Sequence, residues 1–298
     1  VGSRRTIGRL PSMMRKAGID VHDILPVNPI RRSFARIDLR NHRKLIVIDG
    51  QIAYTGSQNI VDADYGTKDL TWFDLMARVT GPAAAHLQLV FLQDWYYVTD
   101  SVLDEPTIMP EPTAPGEAAL QVVPSGPTMP AERFENLVVE AITHARRHLI
   151  ITTPYFVPDE PTLRGLKLAV MRGAKVDLVV PQRIDQYLVG AASRSYFTEL
   201  LDAGVNIHRF TGGLLHSKTM TVDDAFGMVG SANFDIRSFR LNFELNLMMY
   251  GPQPTARLRF IQQGYMNDSN KLNPKSWHQR PAVRVLAEDV ARLFSPLL

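Results

Sequence analysis

One motif occurs twice in this chain with identical spacing, and this duplication constrains the fold more than any other feature. Each copy carries six matched residue types. The first copy consists of His42, Lys44, Asp49, Gly56, Ser57 and Asn59. The second copy consists of His216, Lys218, Asp223, Gly230, Ser231 and Asn233. Six matches at one spacing indicate an internal duplication, and a His-Lys pair in each copy suggests one site assembled from two halves.

The duplication extends beyond the motif. Ala17-Gly18 matches Ala203-Gly204 upstream, and Phe73-Asp74-Leu75 matches Phe243-Glu244-Leu245 downstream. A repeat of about 170 residues indicates two domain-sized copies rather than a solenoid. We therefore predict a first half at 1–104, a Pro-rich linker at 105–117 and a second half at 118–298.

The two predicted halves differ in length before the first matching anchor. About 80 residues of the second half precede Ala203, and their pattern alternates strands and helices, whereas sixteen residues precede Ala17. The chain also begins at Val1 rather than Met. The expectation is a fragment whose first half lacks its opening strands.

The periodicity predicts an α/β fold. Apolar strands such as Val176–Val180 alternate with amphipathic helices such as Glu160–Arg172, which Gly173 ends. This alternation favours a mixed sheet flanked by helices in each half, with the halves related by a pseudo-twofold axis. The chain is 45% hydrophobic, has no cysteine and carries a net charge of +3, so disulfide and thiolate chemistry are excluded.

A last helical pattern lies near the C-terminus. Its apolar residues are Val283, Leu286, Ala287, Val290, Leu293 and Phe294. Helical spacing places them on one face. The favoured interpretation is that this face packs on the second core, and the alternative is a face directed at a membrane.

The repeated motif predicts a site for an anion. His42 to Ile48 has a strand pattern and Asp49-Gly50 a turn pattern. Residues two apart on a strand share a face, so His42 and Lys44 are expected side by side. A cation beside an imidazole disfavours its charged form, and the pairing is explained if a phosphate lies between them. His216 and Lys218 repeat the arrangement.

Two such halves would surround one phosphoryl group with histidines, lysines and amides. We expect Ser57, Asn59, Ser231 and Asn233 to contribute to substrate binding through the segment after each glycine. One imidazole would attack phosphorus and the other would serve as acid and base, giving a covalent phosphohistidine. The lysines supply the positive charge, so no metal and no cofactor are predicted.

Carboxylates are expected to orient the two imidazoles. Asp74 and Glu244 occupy equivalent positions in the repeat, and a nucleophilic imidazole needs its other nitrogen held as N–H. Asp49 and Asp223 belong to the catalytic motif. Asp49 nevertheless falls at the turn with the wrong parity to face substrate, which favours a turn or salt-bridge role.

The paired H-x-K-x4-D-x6-G-S-x-N motif resembles that of the phospholipase D superfamily. Longer strings resemble the bacterial cardiolipin synthases within it, namely Asn41 to Lys44, Val122 to Pro127, Thr153 to Pro158, Gly212 to His216 and Leu241 to Glu244. The resemblance implies a bacterial membrane enzyme that transfers a phosphatidyl group between two phosphatidylglycerol molecules and releases glycerol. Its catalytic part would face an aqueous side, with membrane helices outside this fragment.

The resemblance also implies roles for the two histidines, with His42 as the nucleophile and His216 as the acid and base. The near-symmetry of the halves leaves the reverse assignment open. Two other functions remain possible from the residues: a phospholipase D-type hydrolase or transphosphatidylase, and a nuclease-type phosphodiesterase. Basic residues are scattered and aromatic residues are few near the motifs, so nucleic acid is not the favoured partner. The oligomeric state is left open.

Overall fold

The computed structural model describes residues 10–25, 27–28, 33–34, 39–61, 70–103, 105, 107–112, 114, 116–129 and 132–295. The helices of this part of the chain are α1 (Leu10–Lys16), α2 (Pro82–Thr99), α3 (Arg133–His144), α4 (Glu160–Met171), α5 (Tyr187–Ser195), α6 (Phe197–Asp202), α7 (Ile236–Arg240), α8 (Pro252–Asn267), α9 (Pro274–His278) and α10 (Ala282–Arg292). The strands are β1 (Val27–Asn28), β2 (Ser33–Phe34), β3 (Arg40–Asn41), β4 (Leu45–Ile48), β5 (Ile52–Gly56), β6 (Trp72–Phe73), β7 (Met76–Thr80), β8 (Ala119–Ser125), β9 (His148–Thr152), β10 (Phe156–Val157), β11 (Lys175–Pro181), β12 (Asn206–Phe210), β13 (Leu214–Leu215), β14 (Thr219–Val222), β15 (Phe226–Gly230), β16 (Phe234–Asp235), β17 (Asn242–Tyr250) and β18 (Ser269–Lys271).

A mixed sheet dominates the second half. Its strand order is β18-β12-β11-β9-β14-β15-β17-β3, with β8 also paired to β17 and β3 contributed by the first half. Strands β9, β11 and β12 are parallel, while β14 runs antiparallel to β9 and β15, and β17 runs antiparallel to β15. Alternate residues of β9 enter two cores: Leu149 and Ile151 pack with α3 to α6, and Ile150 packs on the side of α8. This period of two places helices on both faces of the sheet.

The first half contains a smaller sheet of three strands in the order β4-β5-β7. These strands correspond to β14, β15 and β17 of the repeat, and α2 corresponds to α8. Residues of both halves share one core, in which Ala53 and Leu87 are buried with Leu245 and Leu258. The predicted α/β fold with sheets flanked by helices is therefore confirmed, although this smaller sheet is antiparallel rather than mixed. Helix α1 precedes Gly18, just as α6 precedes Gly204.

The halves meet through two short parallel strand pairs that are equivalent in the repeat. Strand β3 pairs with the start of β17, and β13 pairs with β6. The pattern continues into each motif histidine: the backbone N–H of His42 donates to Phe243 O and that of His216 to Phe73 O, both at 2.8 Å. Each motif histidine is thus fixed by backbone hydrogen bonds to the opposite half.

Two details of the predicted elements differ from the structure. Strand β4 begins at Leu45 rather than at His42, because the segment before His42 pairs with β17 instead of extending the hairpin. The prediction that the apolar face of the last helix packs on the core is wrong. On α10 the side chains of Val283 and Leu286 are 81% and 65% exposed, and the buried residues are Glu288 and Ala291. Within the described ranges, no helix has the length and apolar character needed to span a bilayer.

Candidate active site

Two histidine-carboxylate pairs lie at the junction of the halves, and each pair joins residues from different halves. Glu244 accepts a hydrogen bond from Nδ1 of His42, with both carboxylate oxygens at 2.9 Å. Asp74 accepts one from Nδ1 of His216 at 2.6 Å. A carboxylate on Nδ1 leaves the lone pair of the neutral ring on Nε2, free to react. These contacts therefore support the predicted orienting role. The repeat did not indicate that each carboxylate contacts the histidine of the other half.

The motif serines hold these carboxylates. Ser57 Oγ donates to Asp74 Oδ1 at 2.7 Å, and Ser231 Oγ donates to Glu244 Oε2 at 2.5 Å. Each Oγ also accepts from the backbone N–H of the residue after the carboxylate, at 2.9 Å in both halves. The hydroxyls that were expected to bind substrate thus lie behind the imidazoles. Their geometry supports a positioning role.

The glycine before each serine permits this arrangement. A Cβ atom at Gly56 would collide with the carbonyl oxygen of Leu75, and one at Gly230 would lie 2.6 Å from the carbonyl oxygen of Leu245. The strand that carries the serine can therefore approach the carboxylate strand closely only without a side chain at this position.

The motif lysines lie beside their histidines. Lys44 Nζ donates to His42 O at 2.8 Å, and Lys218 Nζ donates to His216 O at 2.6 Å. Both lysines are buried, Lys218 completely. Burial lowers the pKa of Lys44 to about 8. Burial and then the charge of Lys44 place the pKa of Lys218 well below its ordinary value. Because the charge of Lys44 affects the pKa of Lys218, the lysines of the two halves belong to one cluster.

The two imidazoles are held neutral. Burial lowers the pKa of His42, the charge of Glu244 opposes this effect, and Lys44 and Lys218 add to it. Burial and Lys218 lower the pKa of His216 to about 3, against the opposing contacts of Asp74. A neutral imidazole at neutral pH is the form required of a nucleophile.

The two carboxylates stay ionised within the cluster. Burial alone would raise the pKa of Glu244, but the charge and hydrogen bond of His42 together with Lys44 and Ser231 bring it below its usual value. For Asp74 the contacts of His216 and Ser57 likewise outweigh burial and lower the pKa. Ionised carboxylates fix both Nδ1 atoms as donors.

The two asparagines differ in their contacts. Asn59 is half-buried and has no hydrogen bond to the described residues. Asn233 is buried, its Oδ1 has no partner in the described part of the chain, and its side chain lies against Asp235. Burial and then the nearby Glu244 raise the pKa of Asp235 to about 6, although Ser238 and Asn233 oppose the shift. A donor role of either amide toward substrate stays a prediction.

The motif aspartates lie outside this cluster. Asp49 is exposed at the turn between β4 and β5. Asp223 lies at the turn between β14 and β15, and its carboxylate accepts from the backbone N–H groups of Arg146, Arg147 and His148 at 2.8–3.0 Å. The structure thus gives Asp223 a turn-fixing contact and brings neither aspartate to the reacting groups. The contacts of Asp223 support the turn role, and a catalytic role of either aspartate stays a prediction.

Two neighbours of the cluster were missed by sequence reasoning. The ring of Trp72 packs edge-on against His216, with centroids 4.6 Å apart. Arg43 points away from the histidine face and donates to Glu244 O and Ser125 O, both at 3.1 Å, and to Asp94. The alternation of side chains along a strand gives Arg43 this direction, whereas no pattern in the sequence predicts its partners.

Comparisons with known proteins identify relatives of this chain. Residues 138–263 match the family model described as cardiolipin synthase, PLD-like domain. The chain is 42% identical over 295 residues to cardiolipin synthase A of Pectobacterium carotovorum and to that of Yersinia pseudotuberculosis. Each match covers 97% of this chain and 60% of the relative, so the chain spans less than two thirds of these proteins.

A solved structure shares the fold. The crystal structure of phosphatidylserine synthase from Haemophilus influenzae matches with a TM-score of 0.65 over 89% of this chain and 72% of that chain, at 15% identity. At this identity the match concerns the fold alone. The sequence matches, by contrast, identify a PLD-like cardiolipin synthase domain in this chain.

Proposed function

We propose that the chain forms the catalytic part of a cardiolipin synthase. It would transfer a phosphatidyl group from one phosphatidylglycerol molecule to another at a bacterial membrane surface and release glycerol. The observation that carries this proposal is the pair of crossed histidine-carboxylate contacts with two buried lysines between them. The sequence matches over 97% of the chain support the choice of lipid substrates.

In the first step, Nε2 of His42 attacks the phosphorus of the donor lipid while Glu244 holds its Nδ1–H. The bond between phosphorus and the glycerol headgroup oxygen breaks, and His216 gives that oxygen a proton. The lipid phosphate is anionic, and its charge raises the pKa of the nearby His216 from its low value in the free protein. The products of this step are glycerol and a phosphatidyl group on His42.

In the second step, the now neutral His216 accepts the proton of a headgroup hydroxyl of the second phosphatidylglycerol. The resulting oxygen nucleophile attacks phosphorus, and the bond to His42 Nε2 breaks. The product is cardiolipin. Lys44 and Lys218 stabilise the charge on the non-bridging oxygens in both steps, because charges in a buried site act at close range with little screening.

The proposed reaction is tested by identifying its products. The protein is incubated with phosphatidylglycerol in mixed micelles, and lipids and released glycerol are quantified. Equal amounts of cardiolipin and glycerol are expected. Phosphatidic acid as the main lipid product would instead indicate a hydrolase.

A His216→Ala variant in the same micelles is the control for contaminating activity. A separate incubation with single-stranded DNA tests the nuclease alternative. DNA cleavage without any lipid product would overturn the proposal. The division of the chain at residues 104 and 118 stays a prediction, which limited proteolysis between these positions would test.

A further inference from the structure

A second cluster of positive charge lies outside the active site, where α5, α10 and β12 meet. Arg194, Arg209 and Arg284 line a small cavity of about 80 Å³. The other lining residues include the apolar Pro154, Ile184 and Phe197 and the polar Gln182 and Ser193. Within the described ranges no carboxylate lines the cavity. Three guanidinium groups around one concavity form a site suited to an anion.

Nearby acidic groups compensate only part of this charge. The buried Glu288 accepts from Arg194 Nε at 2.7 Å and from Arg280 at 2.6 Å. It also forms an ion pair with Arg284, whose Nε lies 3.6 Å away, so one carboxylate serves three arginines. Arg209 has no partner among the described residues, and its Nε is buried without an acceptor. A buried donor without an acceptor is costly, so an external anion that supplies one would bind favourably.

Burial and charge repulsion both disfavour the charged form of Arg209. Burial first, and then the charges of Arg284 and Arg194, lower the pKa of Arg209. The two neighbouring guanidinium groups therefore act on Arg209 at short range. An anion placed among the three arginines relieves this repulsion and regains hydrogen bonds at the same time.

The cavity lies on the active-site side of the large sheet. Pro154 and Pro181, which line it, stand at the carboxyl ends of β9 and β11. Tyr155 follows Pro154, and its hydroxyl donates to Asp185 at 2.7 Å near the start of α5. Tyr155 also precedes β10, which pairs with β16 directly after Asn233. A short run of residues thus connects the cavity with the candidate active site.

Helix α10, which carries Arg284 of the cavity, also has an exposed apolar face. Helix α10 uses Glu288 and Ala291 to pack on α5, so the opposite face, formed by Val283, Leu286 and Val290, remains in solvent. Tyr187 at the start of α5 is also exposed. Helices with basic and apolar residues arranged in this way lie in the headgroup region of bilayers. A basic pocket beside an apolar face matches an anionic phospholipid, which presents a phosphate next to hydrocarbon.

We propose that the cavity of Arg194, Arg209 and Arg284 binds the phosphate of an anionic phospholipid in the bilayer, while the exposed face of α10 contacts the acyl region. The site is separate from the catalytic cluster and would hold the cleft against the membrane. The choice of a lipid rests partly on the proposed function, whereas the affinity for a phosphate anion does not.

The test measures binding of the whole chain to vesicles by sedimentation. Vesicles of phosphatidylcholine with 30% phosphatidylglycerol are compared with pure phosphatidylcholine. The Arg209→Gln and Arg284→Gln variants are each expected to bind the anionic vesicles about fivefold more weakly than wild type. Arg164→Gln on α4 removes the same charge from an exposed residue away from the cavity, and it is expected to bind like wild type. Because Arg284 is exposed, its substitution is compatible with an unchanged fold.

Further measurements distinguish lipid phosphate from free phosphate. They also distinguish the lipid site from the proposed catalytic function. Leu286→Ser is expected to weaken binding to anionic vesicles without changing the affinity for inorganic phosphate. If inorganic phosphate binds in an Arg209-dependent way while vesicle binding does not depend on Arg209, the site takes free phosphate and the lipid proposal is overturned. If both arginine variants bind vesicles and inorganic phosphate like wild type, the site itself is rejected. Cleavage of a soluble activated phosphodiester, expected to be unchanged in these variants, reports on the catalytic cluster alone.

Discussion

The two halves carry the same motif in different surroundings. The side chain of His42 is 27% exposed and that of His216 is 4% exposed. In the second half β17 is one strand of nine residues and pairs with both β15 and β8, whereas its equivalent is divided into β6 and β7, and β7 pairs only with β5 within the described ranges. The same reacting groups can therefore be presented by scaffolds of unequal size, and the more accessible imidazole belongs to the smaller one.

Despite these different surroundings, each half depends on a carboxylate that the other half supplies. His42 uses the carboxylate of Glu244, and His216 uses that of Asp74, so each half supplies the imidazole of one pair and the carboxylate of the other. Neither half contains a complete histidine-carboxylate pair by itself. The duplication thus makes the two copies mutually dependent even where their sheets differ. The predictions below test which differences between the halves matter for chemistry.

The largest effect is expected from the histidines. If His42 is the nucleophile, a His216→Ala variant given an activated phosphodiester accumulates a covalent adduct on His42, because that leaving group needs no proton. The His42→Ala variant forms none. With lipid substrate both variants lose at least about 10⁴-fold in rate. Peptide mapping of the trapped adduct locates the phosphoryl group.

The opposite outcome would reverse the roles of the two histidines. An adduct on His216 in the His42→Ala enzyme, with none on His42 in the other variant, assigns the nucleophile to the more buried imidazole. Absence of an adduct in wild type and in both variants would favour direct displacement. Circular dichroism of each variant verifies that the fold is retained.

The orienting carboxylates are expected to have smaller and separable effects. Glu244→Gln removes the acceptor of His42 Nδ1, so adduct formation slows by about 10²–10⁴-fold even with an activated phosphodiester. Asp74→Asn acts on His216 and slows the lipid reaction, with little effect when the leaving group needs no proton. The measurement is the burst rate with each substrate.

Asp202→Asn is the matched control for these amide variants. Asp202 contacts Nε2 of His278 at 2.8 Å in an exposed pair away from the cluster. Its substitution is expected to leave both reactions unchanged. Equal effects of Glu244→Gln and Asp74→Asn on the activated substrate would contradict different roles for the two histidines.

The lowered pKa of Lys44 predicts that the reaction rate depends on pH, with an effect of intermediate size. Because burial lowers the pKa of Lys44 to about 8, its ammonium is charged below this pH and neutral above it. The kcat/KM for a soluble phosphodiester, which reports the free enzyme, is therefore expected to fall about tenfold per pH unit above this point. Lys44→Arg keeps its charge and is expected to move the decline to higher pH. A profile with the same midpoint in both proteins would assign the decline to another group.

Much of this arrangement follows from sequence because the motif lies where local patterns are strong. The hairpin at Asp49-Gly50, the strand Val176–Val180 and the helix from Glu160 all have clear periodicity and end signals. The equivalence of Asp74 and Glu244 also follows from the repeat. These features depend on residues that are close in sequence or repeated at fixed spacing.

The remaining features depend on contacts between distant segments. The start of the motif strand pairs with the other half, and a periodic pattern cannot distinguish that pairing from a longer hairpin. The exchange of carboxylates follows from the same pairing. On α10 the buried carboxylate of Glu288 reverses the side that an apolar pattern favours, because it pairs with Arg194 and Arg280. Tertiary ion pairs of this kind leave no local signal.

The smallest effect concerns the motif aspartates and separates turn roles from catalytic ones. Both residues have left-handed backbone, with φ of 52° at Asp49 and 50° at Asp223, a conformation that asparagine tolerates. Asp223→Asn weakens the bonds to three backbone N–H groups and is expected to lower the free energy of unfolding by about 1–2 kcal/mol. Asp49→Asn is expected to change it by less than about 0.5 kcal/mol, because this exposed residue has no such contacts in the described part of the chain.

Urea denaturation measures this difference, and its pH dependence has a definite sign. Burial alone would raise the pKa of Asp223, but the backbone N–H groups and Arg147 lower it. The stabilisation by this carboxylate is therefore present at neutral pH and lost as the pH falls below about 4. The turnover of each folded variant should match wild type. A loss of turnover in either variant without a loss of stability would return that aspartate to the catalytic group, and the turns of the two halves would then differ in function as well as in contacts.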